Sequence, residues 1–160
     1  MVGPVVKVSE SDLPRRANIH YLGSKNYLEL PSYFSGWDAG MLPFALNDST
    51  RFISPTKTPE YLAAGLPVVS TPITDVVKPY GDLGLVSIAR SAEECVSLTQ
   101  ELLSRDPARE PERLRRVDAF LARTSWDKTY VQMRDLISQT ASERDLTLKV
   151  ENSIEGVAAD

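Results

Sequence analysis

The chain has few of the residues that build disulfides, metal centres and catalytic triads. Its 160 residues include one cysteine, Cys95, and one histidine, His20. A single cysteine excludes an internal disulfide and a cysteine cluster for a metal ion. A single histidine without a partner builds neither a triad nor a metal site. We therefore expect no metal ion and no bound cofactor.

Long apolar runs and an excess of positive charge are also missing. No stretch approaches the 18 apolar residues that would indicate a membrane-spanning helix. The N-terminal residues lack the apolar run of a signal peptide. The net charge of −4 argues against a general nucleic-acid binder. These absences favour a cytoplasmic protein, and the length suits one domain with its own core.

Short strands and helices alternate along the chain. We predict strands at 2–8, 18–22, 38–44, 68–71 and 83–89, and helices at 27–34, 55–64, 74–80, 91–103, 110–122 and 126–138. This order predicts an α/β fold, a Rossmann-like parallel sheet flanked by helices, with extra helices at the C-terminal end. Trp126 is expected to anchor the last helix in the core.

The domain is expected to cover residues 1–140. From about residue 141 the sequence loses its periodicity and carries scattered charge. We expect the segment 141–160 to be poorly ordered, or to be ordered only by a partner.

The most informative segment is SPTKTPEYLAAGLPVVS, residues 54–70. Lys57 and Glu60 lie one turn apart on the predicted helix, so they share a face. A phosphate near the start of this helix would meet Lys57, and Glu60 could accept hydrogen bonds from hydroxyl groups. A Lys-x-x-Glu pair is more often a solvated surface ion pair, and that interpretation stays open. Its position after a strand and a polar loop favours a ligand site.

The same segment reads P-x-K-x-x-E-Y-L-A-A-G-x-P-V-V, and the flanking sequence contains IHYLG at 19–23, LPSY at 30–33 and WDAGMLPF at 37–44. In these features the chain resembles the nucleotide-sugar-binding half of GT-B glycosyltransferases, in the large family-four-like group. The resemblance covers roughly residues 3–137. It implies the C-terminal, donor-binding half of a GT-B fold.

The resemblance implies separate roles for residues of the central segment. Glu60 would bind the ribose hydroxyls of the sugar donor. Lys57, with backbone N–H groups near Thr56, would hold the diphosphate. Arg51 and Ser54 would lie on the sugar-phosphate side.

The resemblance also implies a place for the nucleobase. Gly23, Ser24 and Lys25 would lie beside the base, largely through backbone contacts. Many relatives carry a further glutamate eight positions before the ribose glutamate, where this chain has Phe52. That departure puts the donor-sugar contacts of this position in doubt.

The implied reaction transfers a sugar from a UDP- or GDP-sugar to an acceptor hydroxyl, in cell-surface polysaccharide or glycan synthesis. Because the resemblance begins inside the donor domain, we expect the acceptor domain and the catalytic residues to lie outside this chain. The isolated chain is then expected to be inactive and to self-associate through an exposed face. The expected partners are the nucleotide-sugar donor, the acceptor domain and, for the parent protein, a membrane surface; nucleic acid is not expected.

Two alternatives come from other classes of protein. A non-catalytic module could keep the fold and bind a nucleotide or a protein, although the Lys57 and Glu60 pair favours donor binding. A nucleotide-sugar epimerase of similar fold would need carboxylates and histidines in its cleft, and the sequence shows no matching cluster.

Overall fold

A computed structural model describes residues 1–157 of the chain, and its side chains as far as residue 144. The predicted α/β fold with a parallel sheet is confirmed. The three strands, in the order β1-β2-β3, are Gly40–Leu42 (β1), Val68–Ser70 (β2) and Ser87–Ile88 (β3). Both pairings are parallel, with Gly40 opposite Val68 and Val69 opposite Ser87.

The helices follow the predicted order. They are Leu30–Phe34 (α1), Lys57–Ala63 (α2), Thr74–Val76 (α3), Ala92–Leu103 (α4), Glu110–Leu121 (α5) and Trp126–Val157 (α6). Short 3-10 turns lie at Glu10–Asp12, Tyr27–Glu29 and Pro107–Arg109, and a π-helical turn at Val77–Gly81 follows α3. The chain divides into two compact units, Met1–Val117 and the residues after it.

The core lies around β2, whose three residues are all buried. Helix α4 packs on this strand, and its Leu102 is buried with Val69 and Ala89. Cys95 is partly buried against the same cluster, as expected for a free cysteine. The central strand therefore anchors the elements on either side of it.

Helix α2 ends as predicted but begins later than predicted. Gly65, at φ +79°, donates to the Leu62 carbonyl, and the Leu66 amide donates to the Tyr61 carbonyl. This hydrogen-bond pair closes the helix and requires a residue with positive φ. At the other end Pro55 lies outside the helix, which begins at Lys57 rather than at residue 55.

The predicted strands at 2–8 and 18–22 are wrong. The Met1 amino group donates to the His20 carbonyl and the Leu22 amide donates to the Met1 carbonyl, which is the start of a parallel ladder. The next rung would join the Gly3 amide to the Leu22 carbonyl, but Gly3, at φ 140°, donates to the Gly23 carbonyl instead, so the ladder stops there. Lys7, at φ 64°, also leaves the extended conformation.

Two further expectations need correction. Trp126 is 81% exposed and does not anchor α6 in a core. The predicted strand at 83–89 is formed only at Ser87–Ile88, although Leu85, Val86 and Ala89 around it are buried.

Helix α6 continues past its predicted end at residue 138 to Val157, into the predicted tail at 141–160. The last residues of that tail, 158–160, lie outside the described residues, and its dependence on a partner stays a prediction. Within the described part of the chain, no helix has both the length and the apolar content needed to cross a bilayer.

Candidate functional site

Lys57 and Glu60 form an ion pair at the start of α2. The distance from Lys57 Nζ to Glu60 Oε2 is 2.6 Å, and the two side chains are 40% and 22% exposed. Helix α2 follows the loop that leaves β1, so it begins on the side of the sheet where parallel strands end. The predicted common face of these two residues is confirmed, and the pair is open to a ligand from solvent.

Tyr27 extends this pair into a group of three side chains. Lys57 Nζ lies 5.6 Å from the centroid of the Tyr27 ring, within the range of a cation–π contact. Tyr27 begins the 3-10 turn at Tyr27–Glu29 and is 66% exposed. Tyr27 is not among the site residues predicted from the sequence.

A capping box holds the turn that carries Tyr27. The Asn26 side chain accepts from the Leu28 amide at 3.0 Å, and the Glu29 carboxylate accepts from the Asn26 amide at 2.9 Å. The Asn-x-x-Glu spacing in the sequence could have predicted this box. No local sequence signal could have shown that Tyr27 meets Lys57, because 30 positions separate them.

Tyr61 of α2 packs in an aromatic cluster with two residues outside this helix. The Tyr61 ring packs edge-on against Phe34 and Trp37, with centroids 5.3 and 5.9 Å away. Burial raises the pKa of the Tyr61 phenol; the nearby Lys57 lowers it and Glu60 raises it. Tyr61 is therefore a neutral packing residue at physiological pH, and it positions the helix that carries the ion pair.

A separate pocket of about 350 Å³ lies beyond the ends of β1 and β2. Arg51 lines it, and the Arg51 carbonyl accepts from Thr74 Oγ1 at 3.3 Å. The Arg51 guanidinium lies 5.2 Å from the Phe52 ring centroid. Among the described residues, no hydrogen bond, ion pair or ring contact joins Arg51 to Lys57. The pocket is lined by Leu46, Asn47, Asp48, Thr50, Arg51, Pro72, Ile73 and Thr74.

For the remaining predicted site residues, the structure shows no side-chain hydrogen bond or ion pair with Lys57 or Glu60 among the described residues. Ser54 and Thr56 are exposed, and the Thr56 side chain makes no capping hydrogen bond to α2. Their sugar-phosphate and diphosphate roles stay predictions.

The predicted base-side residues occupy an exposed turn. Gly23 has φ +67°, and its carbonyl already accepts from the Gly3 amide at 2.9 Å. Ser24 is exposed, and Lys25 Nζ lies 5.7 Å from the Tyr33 ring centroid. Lys25 thus contacts Tyr33, whereas Tyr27, two positions after Lys25, contacts Lys57. The nucleobase role of this turn stays a prediction.

Metal-binding side chains do not cluster in the part of the chain that the structure describes, where no group of three or more was found. The chemistry available at the site is that of one ammonium, one carboxylate and one exposed aromatic ring.

Comparison with known proteins gives one partial similarity. The chain is 34% identical over 76 residues to the Bacillus subtilis (strain 168) protein named putative teichuronic acid biosynthesis glycosyltransferase TuaH. The match covers 46% of this chain and 19% of that protein, so the chain spans about a fifth of the relative's length. No family model matches the chain, and no solved structure matches it. The chain is thus an α/β protein with a partial, distant similarity to a glycosyltransferase.

Proposed function

We propose that this chain is the donor-binding portion of a glycosyltransferase, and that it binds the nucleoside diphosphate of a UDP- or GDP-sugar. The observation that carries the proposal is the Lys57–Glu60 ion pair at the start of α2. The partial similarity to a protein named as a glycosyltransferase of teichuronic acid biosynthesis supports the same class, and polysaccharide synthesis as the setting.

Lys57 has the chemistry to hold a diphosphate. An ammonium group makes charge-assisted hydrogen bonds to phosphate oxygens. During sugar transfer, negative charge grows on the departing diphosphate, and a cation fixed beside it stabilises that charge. In this proposal Lys57 binds the donor and also stabilises the leaving group.

Glu60 has the complementary chemistry for the ribose. Its carboxylate is acceptor-only when ionised, so it suits hydroxyl donors. The Lys57 ammonium has three donors and Glu60 occupies one of them, which leaves donors for phosphate oxygens without breaking the ion pair. Lys57 can therefore bind the diphosphate while Glu60 binds the ribose of the same nucleotide.

Calorimetric titration of the chain with UDP, GDP, ADP and inorganic phosphate tests the proposal. We expect at least one nucleoside diphosphate to bind. Lys57→Gln should weaken that binding by about 1–3 kcal/mol, the scale of a lost charge-assisted hydrogen bond.

Lys7→Gln is the matched control, because it removes the same charge from an exposed lysine that is remote in sequence from α2. It should leave the affinity unchanged. Absence of binding to every nucleotide would contradict the proposal. Equal losses in the two variants would show that net charge, and not the Lys57 site, controls binding.

A further inference from the structure

We infer that Tyr27 provides the stacking surface for the nucleobase of the bound nucleotide. The inference rests on the proposed function, since it needs the diphosphate at Lys57 and the ribose at Glu60. It assigns to the base a side chain that the sequence analysis did not include.

The position of Tyr27 carries the argument. In a nucleoside diphosphate the base is attached to the ribose, so it lies within one sugar of the groups held by Lys57 and Glu60. The Tyr27 ring centroid lies 5.6 Å from Lys57 Nζ, which itself lies 2.6 Å from the Glu60 carboxylate. An aromatic ring is therefore in reach of the base when the phosphates and ribose occupy the ion pair.

The exposure of Tyr27 supports the same role. The residue is 66% exposed, so most of its surface is free for a ligand. The capping box of Asn26 and Glu29 holds the turn in place, which reduces the entropy lost when a base stacks there. Every nucleobase has a π-face, so this contact would add affinity for a nucleotide whichever base it carries.

The other aromatic residues near α2 are less suitable. Tyr61 is enclosed by Phe34 and Trp37. Tyr33 is only partly exposed and lies under Lys25. Phe52 is exposed, but its ring contact is with Arg51 on the pocket side of the loop. Tyr27 alone among these contacts Lys57 through its ring.

Titrations with UDP, GDP and inorganic pyrophosphate, on the wild-type chain and its Tyr27 variants, test the inference. Tyr27→Ala should bind the nucleoside diphosphate that the wild type binds roughly ten-fold more weakly, as expected for one lost stacking contact. Its affinity for pyrophosphate, which has no base, should stay the same. Tyr27→Phe keeps the ring and should bind like the wild type.

Leu28→Ala is the matched control, because Leu28 lies on the same turn and is 85% exposed. It should bind both ligands normally. Tyr27→Leu, which keeps the bulk and removes the π-face, repeats the test if the alanine variant does not fold. Thermal unfolding of each variant verifies its fold.

The outcomes separate this inference from the proposed function. If the wild type binds no nucleotide, both are overturned. If the wild type binds and Tyr27→Ala binds equally well, the base is held elsewhere and only the inference fails. If Tyr27→Ala loses nucleotide and pyrophosphate affinity equally, Tyr27 acts through Lys57, and base stacking is excluded.

Discussion

Gly40 lies directly beneath the ring of Tyr61. A Cβ atom at Gly40 would come within 2.6 Å of Tyr61 Cδ2 and 3.0 Å of Tyr61 Cγ, closer than real Cβ atoms approach. Gly40 begins β1 and Tyr61 is part of α2, so this contact joins the edge of the sheet to the helix that carries Lys57 and Glu60. The absence of a side chain on the strand sets how closely α2 approaches the sheet.

Gly40→Ala should therefore destabilise the protein. The added methyl group must displace a ring that is held by Phe34 and Trp37, and overpacking of this kind costs about 1–3 kcal/mol. Urea unfolding measures the change in the free energy of unfolding. Gly36→Ala is the control, since a Cβ there would meet only the Tyr33 carbonyl, at 3.7 Å. An unchanged stability of Gly40→Ala would show that the ring is free to move.

Thr58 offers a second test of packing, in the first turn of α2. Its side chain is 1% exposed, and its hydroxyl oxygen has no hydrogen-bond partner among the described residues. Thr58→Val replaces the hydroxyl by a methyl group and should raise the free energy of unfolding by about 1 kcal/mol, because an unsatisfied buried polar group is costly. Thr58→Ser keeps the hydroxyl, removes the methyl group and should be destabilising. A lower melting temperature for Thr58→Val would contradict this reading.

Glu110 gives a prediction about pH. Hydrogen bonds from Arg113 Nε, at 3.0 and 3.1 Å, hold the pKa of the Glu110 carboxyl below its usual value, although burial acts in the opposite direction. Arg113 also bonds to the carbonyls of Gly65 and Leu66, so the pair fastens α5 to the end of α2.

A carboxyl whose pKa is lowered by folding stabilises the folded state fully above its unfolded pKa, near 4.3, and loses that contribution as the pH falls through its lowered folded pKa. The free energy of unfolding of the wild type should fall between about pH 5 and pH 3, and that of Glu110→Gln should fall less steeply. The two proteins should differ by less than about 1 kcal/mol in the free energy of unfolding that each loses over this range, because the Glu110 side chain is 40% exposed. Thermal unfolding across this range measures it. Glu112→Gln makes the same change of charge on the same helix and serves as the control. A slope for Glu110→Gln equal to that of the wild type would contradict the role of the Arg113 hydrogen bonds.

The sequence predicted the parts of the fold that depend on local signals. The predicted helix at 91–103 forms as α4, where Ser91 caps the helix by accepting from the Glu94 amide at 3.1 Å, and Gly65 ends α2. The face shared by Lys57 and Glu60 also followed from helical spacing alone. Each of these features is decided within a few residues.

Features set by distant neighbours were not predictable in this way. The segments at 2–8 and 18–22 have strand-like composition, yet their pairing stops at Gly3, whose amide donates to the Gly23 carbonyl and breaks the register. Trp126 is apolar and suits a core, but its exposure depends on which elements pack around it. The contact of Tyr27 with Lys57 depends on how the turn at Tyr27–Glu29 meets α2. Such contacts leave no periodic signal in the sequence.

The proposed function requires Glu60 to bind the ribose of a nucleotide whose diphosphate is held by Lys57. Removing Glu60 also releases Lys57 from the ion pair. The affinity of Glu60→Ala for a single ligand would therefore reflect both the lost ribose contact and the released lysine. The ratio of the affinities for the nucleoside diphosphate that the wild type binds, UDP or GDP, and for its 2′,3′-dideoxy form isolates the ribose contact, because the freed lysine acts equally on both ligands.

Calorimetric titrations of the wild type and of Glu60→Ala with both ligands measure that ratio. We expect the wild type to prefer the ribonucleotide about ten-fold, the scale of a hydrogen bond to a charged group, and Glu60→Ala to show a ratio near one. The same preference for the ribonucleotide in both proteins would show that Glu60 does not bind the ribose.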